Sequence, residues 1–534
     1  MPATASSAPL AILSLTKSEF IESGYQKTAV VVVDENIYAS LLKEKERDCS
    51  SNSPQQFKDI LLWPGDWHFV KNLFGIIGKF ISGSGLEYIL QVLYDSSVVN
   101  GILGVYNVDR TFRAYTLLYT ALFVLQLEVF INEHPENNVE LQLIINEMKS
   151  SLTNIHKPND DNHKQKLYEI SRNACEILKL MSVLNDYDNW RKIKAEKCIM
   201  FKYYDYLLNN LLQPLFALYI ATRTNNFVVR NKQWRYFLPF FFAFNHTNYA
   251  RMESHHIYEL SQMNTNDLQE LSNNWTVSMK GRTFSSIACD YAIETTQNKD
   301  FKGPSGLSGH MDADLRTAWS LSSTWCAEVL NIVDELSNTK QTNDHHIQAT
   351  PSRTPTDNND LMKLITVFKT DNPFQCQTKD FYKILSGIKL PNDIVSELCG
   401  ASAKFIPTAN AFIKEHLIEK RSTVFTTIHK GNVRLLTSSV SPEKTLTVIN
   451  NNDEKLFKSP MYYSAFRLNI KLEILSTYEF TTPPPSFINK NEPTFQQKSS
   501  LIPFISDYFP QTITNSFSQQ PSVIIVDGDQ LLSK

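Results

Sequence analysis

A run of β-branched residues that ends in an acid constrains the fold of this chain more than any other feature. Residues 29–34 read AVVVVD, and an amphipathic stretch at 36–46 separates them from a second apolar run, DILLW, at 59–63. Uninterrupted apolar runs of this length are typical of strands buried on both faces of a parallel sheet. The order of strand, helix and strand predicts a right-handed parallel unit, with Asp34 at the carboxyl end of its first strand.

The rest of the chain has mainly helical periodicity. Between residues 86 and 220 the apolar residues recur at spacings of three and four, as in helices that bury one face. Hydrophobic residues make up 42% of the 534 residues and glycine only 16 of them, which favours a helical globular protein. The predicted fold is mostly α with a small α/β core, a large all-helical insertion and a smaller helical C-terminal region.

The chain is expected to contain six parts. They are a partial α/β core (1–85), a helical insertion (86–236), a return to the core with a catalytic-type helix (237–337), a linker (338–360), a smaller helical or mixed region (361–480) and an extended tail (481–534). The linker is rich in Asn, Thr, Asp and Pro. The tail includes SVIIVD at 522–527, a lone strand pattern that we expect to belong to a longer parent protein.

Charge and cysteine content restrict the classes of partner. Lys and Arg number 52 against 55 Asp and Glu, so the net charge is −3 and any contact with DNA has to use local patches. The seven cysteines form no C-x-x-C pair, which argues against a zinc finger, and their odd number indicates an intracellular, reducing environment. The most apolar stretches, 117–131 and 206–221, are short for membrane spans and are predicted to be core helices.

Two acids near the ends of the predicted strands could form a metal site. Asp34 ends the first strand, and Asp66 follows the second within WPGDWHFVKN at 63–72. Carboxylates gathered at the carboxyl ends of parallel strands can hold Mg²⁺, and two such ions about 3.5–4 Å apart can promote phosphodiester cleavage. Taken alone, however, Asp34 is better explained as the cap of the next helix, and His68 as a structural histidine.

The same segment resembles a known family. A strand ending in Asp34, a helix, a second strand and then WHFVKN at 67–72 are similar to Mutator-like transposases, which have a ribonuclease-H-like core. The resemblance implies that Asp34 is the second catalytic carboxylate and that His68 belongs to a Cys- or Asp-x-x-His motif. The chain departs from that motif at Gly65, where the Cys or Asp is expected, and the neighbouring Asp66 is a candidate substitute.

Two later segments resemble a broader group of transposon-derived animal proteins, namely FLPFFFAFNHTNYAR at 237–251 and GRTFSSIACDYAIETTQN at 281–298. This resemblance implies that Glu294 is the last catalytic carboxylate, supplied from a helix, so that Asp34 and Glu294 would together bind Mg²⁺. Asp290 lies one helical turn before Glu294 on the same face and is a candidate supporting acid. The alternative for Glu294 is an ordinary exposed acid on a helix.

The polar string at 245–251 leaves two interpretations open. His246 and Arg251 could orient the carboxylates or contact a phosphate group. Equally, the string could be a hydrogen-bonded helix start, in which Asn245 or Thr247 is the capping residue.

The first catalytic acid of such a core has no candidate, because the residues before Ala29 contain no Asp. We therefore expect a transposase-like protein, of the class that cleaves and transfers DNA strands, that is incomplete or inactive. Mg²⁺ would bind only if the missing carboxylate were supplied. The resemblance implies a nuclear location and DNA as the partner, with no membrane. The alternatives are a host-retained or decayed transposon protein that acts as a non-catalytic helical scaffold, and a helical scaffold unrelated to transposition.

Overall fold

The computed structural model describes residues 8–50, 55–134, 183–278, 285–295, 353–375 and 378–439, single positions between 314 and 336, and two short strands between 488 and 493. The chain divides into a unit of residues 1–469 and a unit of residues 470–534. In the second unit the described residues are the antiparallel strands β7 (Ile488–Asn489) and β8 (Glu492–Pro493). All other elements belong to the first unit.

Helices account for most of the described residues, which confirms the prediction of a mostly α protein. The helices are α1 (Ala8–Thr16), α2 (Glu35–Ser50), α3 (Asp66–Ile81), α4 (Leu86–Leu90), α5 (Ser96–Leu103), α6 (Val108–Glu133), α7 (Val183–Lys197), α8 (Ile199–Tyr206), α9 (Gln213–Arg223), α10 (Phe227–Ala243), α11 (Thr247–Gln262), α12 (Thr265–Asn274), α13 (Cys289–Thr295), α14 (Arg353–Thr370) and α15 (Asn392–Phe412). Short π-helical segments occupy Lys17–Glu22, Leu207–Leu212 and Ile413–Ile418, and a 3₁₀ turn occupies Leu436–Ser439.

The described strands of the first unit form three separate pairs. They are β1 (Ala29–Val33) with β2 (Ile60–Pro64), β3 (Thr276–Val277) with β4 (Ile287–Ala288), and β5 (Phe381–Tyr382) with β6 (Lys389–Leu390). Only β1 and β2 are parallel, with Ala29 opposite Ile60 and Val33 opposite Pro64. The expected parallel unit is therefore present, and α2 connects its two strands.

The two parallel strands differ in burial. All five residues of β2 are buried, whereas in β1 only Ala29 is buried and Val30 is 42% exposed. The expectation of two buried strands was correct for β2 and wrong for β1. A β-branched run indicates a strand, but whether that strand is buried depends on what packs beside it, and no other described strand pairs with β1.

The long helix α6 lies in the core. Its N-cap is Asn107, whose side-chain oxygen accepts a hydrogen bond from the Arg110 backbone N–H. Leu118, Leu122 and Leu125 on this helix are fully buried, and it packs mainly against α14. By length and composition alone, it is the one helix in the described part of the chain that could cross a membrane.

Several expected boundaries fall within regular elements. The apolar run at 237–244 lies almost entirely in α10, so the expected boundary between 236 and 237 is inside a helix that continues through Pro239. Helix α14 begins at Arg353, inside the expected linker 338–360. Residues 423–428, TVFTTI, have a strand-like sequence pattern but form no strand; they belong to an irregular segment, residues 419–435, that we call the strap. Side chains that are distant in the sequence form hydrogen bonds with the backbone of the strap.

Candidate functional site at the end of the parallel strands

Helix α13 returns to the carboxyl end of the parallel strands after a long helical excursion. Strand β4 pairs with β3 and leads directly into α13, which packs against α3 and β1. This arrangement brings Asp290 next to His68, which lies 222 positions earlier in the chain. The contact therefore depends on the whole helical body between them.

The Asp290 carboxylate is the acceptor at the first turn of α3. The backbone N–H of Trp67 donates to its Oδ1 at 3.2 Å, and that of His68 donates to Oδ2 at 3.0 Å. The His68 ring Nδ1 lies 3.0 Å from the same Oδ2. Free N–H groups and the positive end of the helix dipole favour a negative charge at this position. Asp290 is only 6% exposed, so these contacts are largely shielded from water.

Gly65 makes room for this carboxylate. A Cβ added at residue 65 would overlap with the Asp290 carboxylate, its Oδ2 atom first. The family resemblance led us to expect a Cys or Asp side chain at position 65, and the space that such a side chain would use is filled from α13. Asp66 does not fill it, because its carboxylate lies in the core, where it accepts hydrogen bonds from Trp63 and Arg230.

Asp34 caps helix α2. Its Oδ1 accepts a hydrogen bond from the Ile37 backbone N–H at 3.0 Å, and its carbonyl oxygen accepts one from Tyr38. This is the capping alternative that the sequence left open. Capping uses one oxygen of the carboxylate, and the side chain remains solvent-exposed.

The hydroxyl of Tyr249 on α11 is influenced electrostatically by both Asp34 and Asp290. Burial raises the pKa of the Tyr249 hydroxyl, and the negative charges of Glu35, Asp34 and Asp290 raise it further, while a hydrogen bond with Asn72 lowers it. Three acids thus lie within electrostatic reach of one hydroxyl at the carboxyl end of β1. The site is acidic, although the overall charge of the chain is nearly balanced.

Glu294 is half-buried one turn beyond Asp290 on α13, and the acid that contacts His68 is Asp290. Within the residues that the structure describes, no three His, Cys, Asp or Glu side chains converge as a possible metal-binding group. The Asp34 carboxylate is engaged in capping, and the Asp290 carboxylate accepts N–H groups through both oxygens. These two carboxylates alone do not complete the oxygen-rich octahedral shell that Mg²⁺ requires.

His246 contacts two polar side chains of α3. Its Nδ1 lies 3.1 Å from the Asn72 Oδ1, and its Nε2 lies 3.1 Å from the Lys79 ammonium. Burial and the charge of Lys79 lower the pKa of His246 to about 4, so the ring is neutral at pH 7. Lys79 can only donate, so the Nδ1 of His246 carries the proton and donates to Asn72. Asn72 in turn donates to the His68 carbonyl oxygen at 2.9 Å.

Arg251 and Asn245 bind the strap. The Arg251 guanidinium donates to the carbonyl oxygens of Val424 at 2.6 Å and Thr426 at 3.3 Å. Asn245, which has a positive φ of 63°, accepts from the Gly431 N–H at 2.6 Å and donates to its carbonyl oxygen at 3.1 Å. Asn245 and Arg251 are therefore engaged within the protein, and Arg251 also donates to the Asn248 Oδ1 at 3.0 Å. The N-cap of α11 is His246, without a side-chain capping hydrogen bond, so the expected capping by Asn245 or Thr247 was wrong.

The comparison with protein families bears on all of this region. The model of a domain of unknown function, DUF8702, matches residues 4–451. The chain belongs to this family. No curated protein and no solved structure matches it. The DUF8702 domain thus includes both parallel strands, helix α13 and the strap.

The DUF8702 domain also contains a buried cation that the sequence did not reveal. Arg230 on α10 is 0% exposed, and its guanidinium lies 4.4 Å from the ring centroid of Trp63, 3.8 Å from that of Trp234 and 5.7 Å from that of Trp275. Its Nε donates to the Asp66 Oδ1 at 2.7 Å. Aromatic faces and one carboxylate therefore replace water around this charge.

Further polar groups complete this buried cluster of the DUF8702 domain. The Arg230 Nη1 lies 2.8 Å from the His256 Nε2, which must accept because arginine only donates. Glu253 is 0% exposed, its carboxyl oxygens have no hydrogen-bond partner among the described residues, and burial raises its pKa well above the usual value. No local spacing signals this cluster, because its members come from β2, α3, α10 and α11.

Proposed function

We propose that this chain is a transposase-like protein that acts as a non-catalytic helical scaffold, and that its strand-end acids stabilise the fold. The main observation in support is that the Asp290 carboxylate accepts hydrogen bonds from the Trp67 and His68 backbone and contacts the His68 ring. Asp34, the other acid of the expected pair, caps α2. Both carboxylates therefore make contacts that stabilise local structure.

The transposase-like part of the proposal rests on the resemblance described above and on topology. A partial ribonuclease-H-like sheet requires parallel strands joined by a helix and a later helix that brings an acid to their carboxyl end. The pair β1 and β2, connected through α2, and the return of α13 are consistent with that plan. Contact with DNA through local patches and a nuclear location belong to the same proposal.

Unfolding measurements on Asp290→Asn test the structural role directly. An amide has one acceptor oxygen, so Asn at 290 cannot accept the full set of N–H donors that the carboxylate accepts. We expect a loss of about 1–2 kcal/mol in the free energy of unfolding by urea. A carboxylate kept for catalysis behaves differently, since replacing such a residue often leaves stability unchanged or raises it. Glu294→Gln, one turn away on α13, is the matched control and should cost less.

A nicking assay tests the absence of catalysis. Supercoiled plasmid incubated with the chain and Mg²⁺ or Mn²⁺ should stay supercoiled, because two carboxylates leave a metal pair poorly neutralised. Nicked product that depends on the divalent ion and disappears in Asp34→Asn would contradict the proposal. The proposal would also be contradicted if the chain did not nick DNA and Asp290→Asn did not change its stability.

One observation favours a second candidate, metal-dependent DNA cleavage. Asp34 and Asp290 both influence Tyr249 from the carboxyl end of the parallel strands, where ligand sites of open sheets are found. On this alternative, Asp290 rather than Glu294 is the helix-borne acid, and another segment or chain has to supply the remaining carboxylate. Nicking that requires both Asp34 and Asp290 would favour this function over the scaffold.

A further inference from the structure

Among the described residues, nothing pairs with the outer edge of β1, which is a row of backbone donors and acceptors. Ala29 N–H donates to the Asp59 carbonyl oxygen at 3.0 Å, and the Val33 carbonyl oxygen accepts from Gly65 N–H at 3.1 Å, so both residues face β2. Backbone groups alternate along a strand, and Val30 and Val32 must therefore direct theirs away from β2. No described residue pairs with these outward groups.

Apolar side chains accompany this edge. Val30 is 42% exposed, and the segment that leads into β1 exposes Leu15 by 62%, Phe20 by 45% and Tyr25 by 83%. The π-helical segment that contains Phe20 packs against β1. A short apolar strand with an unpaired edge is a template for pairing with another strand, and proteins normally cover or charge such an edge. The β1 edge therefore has the properties of an interface.

We propose that the β1 edge pairs with the β1 edge of a second copy of this chain, in antiparallel orientation, around a two-fold axis at Val31. In this register Val30 lies opposite the second copy's residue 32, and the two exchange both backbone hydrogen bonds; the symmetry repeats the pair. Val31 meets its own equivalent in a position without backbone hydrogen bonds, since its backbone groups face β2. The outward groups of the described strand are then satisfied.

The charges around β1 favour this register. Residues 27–35 read KTAVVVVDE, so the antiparallel two-fold arrangement places Lys27 of each copy beside the acidic end of the other, which consists of the exposed Asp34 and of Glu35, a half-buried acid that also contacts Asn248. Lys27 is exposed and has no ion-pair partner among the described residues. A shift of the axis by one residue, to Val30 or Val32, moves Lys27 from its position opposite Glu35 to one opposite residue 33 or residue 37. Cross-strand pairs of opposite charge stabilise a register, and like charges oppose it.

This interface does not depend on the proposed function. It uses the edge of β1, whereas the Asp290 contacts lie at the carboxyl end of the strands on α3. Because only a short strand and a few apolar side chains are involved, the dimer is expected to be weak and to dissociate on dilution.

Sedimentation of the full chain over a range of concentrations is the first test, and a monomer–dimer equilibrium is expected. Val30→Lys places a charge at the centre of the interface and should raise the dissociation constant at least ~10-fold. Ile193→Lys is the matched control, because Ile193 is 50% exposed on α7, which packs against α8. It should leave the dissociation constant unchanged. Melting temperatures of both variants confirm that each remains folded.

Charge exchange tests the register. Lys27→Glu and Glu35→Lys each place like charges opposite one another in the homodimer, so each alone should dimerise weakly. An equimolar mixture of the two restores both ion pairs in the heterodimer and should recover association. If the single variants dimerised weakly because they were unfolded, mixing them would not restore association. Mixtures that associate no better than the single variants would overturn the proposed register.

Disulfide trapping locates the axis. In a Cys49→Ser background, which removes the one cysteine that is exposed among the described residues, Val31→Cys should cross-link under mild oxidation, because equivalent residues at the axis have Cβ atoms about 4.5–5.5 Å apart. Val30→Cys should cross-link far less, since it faces residue 32 of the second copy. A chain that is monomeric at all concentrations, or equal cross-linking of both variants, would overturn the proposal. Occupancy of the edge by a different polypeptide would give the monomeric outcome.

Discussion

Two polar clusters meet at the first turn of α3, and their surroundings differ. In the core cluster, Arg230 and Asp66 are paired at 2.7 Å with side chains that are 0% and 4% exposed. In the rim cluster, His68 and Asp290 are 3.0 Å apart, and the His68 side chain is 25% exposed. The same turn of helix therefore carries one ion pair without access to water and another contact beside the solvent.

The difference shows which partner neutralises each carboxylate. Asp290 is held mainly by backbone N–H groups, which remain in place whatever side chains surround them. Asp66 depends on Arg230 and the Trp63 indole, and burial raises its pKa despite the lowering effect of the arginine charge. Desolvation is thus the largest influence on Asp66. A buried pair of this kind adds little net stability, but breaking it leaves one uncompensated charge.

The largest effect is therefore expected from Arg230→Met. This change leaves Asp66 buried without its cation and should lower the free energy of unfolding by about 3–5 kcal/mol. The measurement is urea unfolding followed by tryptophan fluorescence, which also reports on Trp63, Trp234 and Trp275 around the guanidinium.

Two controls separate the loss of the ion pair from the loss of arginine as such. Arg235→Met lies on the exposed face of the same helix and should change stability by less than about 0.5 kcal/mol. Combining Arg230→Met with Asp66→Asn removes the uncompensated charge and should recover part of the loss. If Arg230→Met cost no more than Arg235→Met, the core and rim clusters would not differ as described.

The contrast also explains what the sequence could predict. Hydrophobic periodicity places β1, α2 and β2 within a few residues of their observed bounds, because these elements follow from local patterns. The core cluster has no local pattern: Arg230 and Asp66 are 164 positions apart, and an arginine followed by a tryptophan four residues later also occurs on ordinary helix surfaces. Only the packing of α10 onto α3 turns that arginine into a buried cation.

The rim cluster was predictable in part. The resemblance singled out Asp34, His68 and the α13 acids, and the structure brings His68 and α13 together. It gave the main role to Glu294 and a supporting role to Asp290, whereas the acid that contacts His68 is Asp290, because that contact depends on where α13 begins. Similarly, the polar string at 245–251 was recognisable, but its partner is the strap, more than 170 residues later.

Gly65→Ala sharpens the comparison at the rim. The added methyl group overlaps with the Asp290 carboxylate, so α13 must move away from the first turn of α3. We expect a loss of about 1–3 kcal/mol in unfolding free energy, together with a changed NMR signal of the His68 ring. Adding Asp290→Ala should relieve the overlap. Gly400→Ala, where a Cβ meets nothing within 4 Å inside α15, is the control and should stabilise the protein by about 0.5–1 kcal/mol.

The smallest effect on stability is expected from the titration of His246, which is connected to the rim cluster through Asn72. Its pKa is about 4 in the folded protein and about 6.5 in the unfolded chain, so between these values the unfolded state binds the extra proton. Stability should thus fall as the pH drops through this window, by about 1.4 kcal/mol at about pH 5.5 from this residue, and stay constant above about pH 7.

His246→Gln removes this contribution. Burial lowers the pKa of His255 and His256 as well, so part of the slope should remain in that variant. Lys79→Met removes the cation beside the ring and should raise the pKa of His246, which NMR titration of the ring protons measures directly. A His246 that titrates near its ordinary value would show that water reaches the ring. In that case His246 would belong to the solvent-exposed surface, and the support that it gives to Asn72 and His68 would be lost.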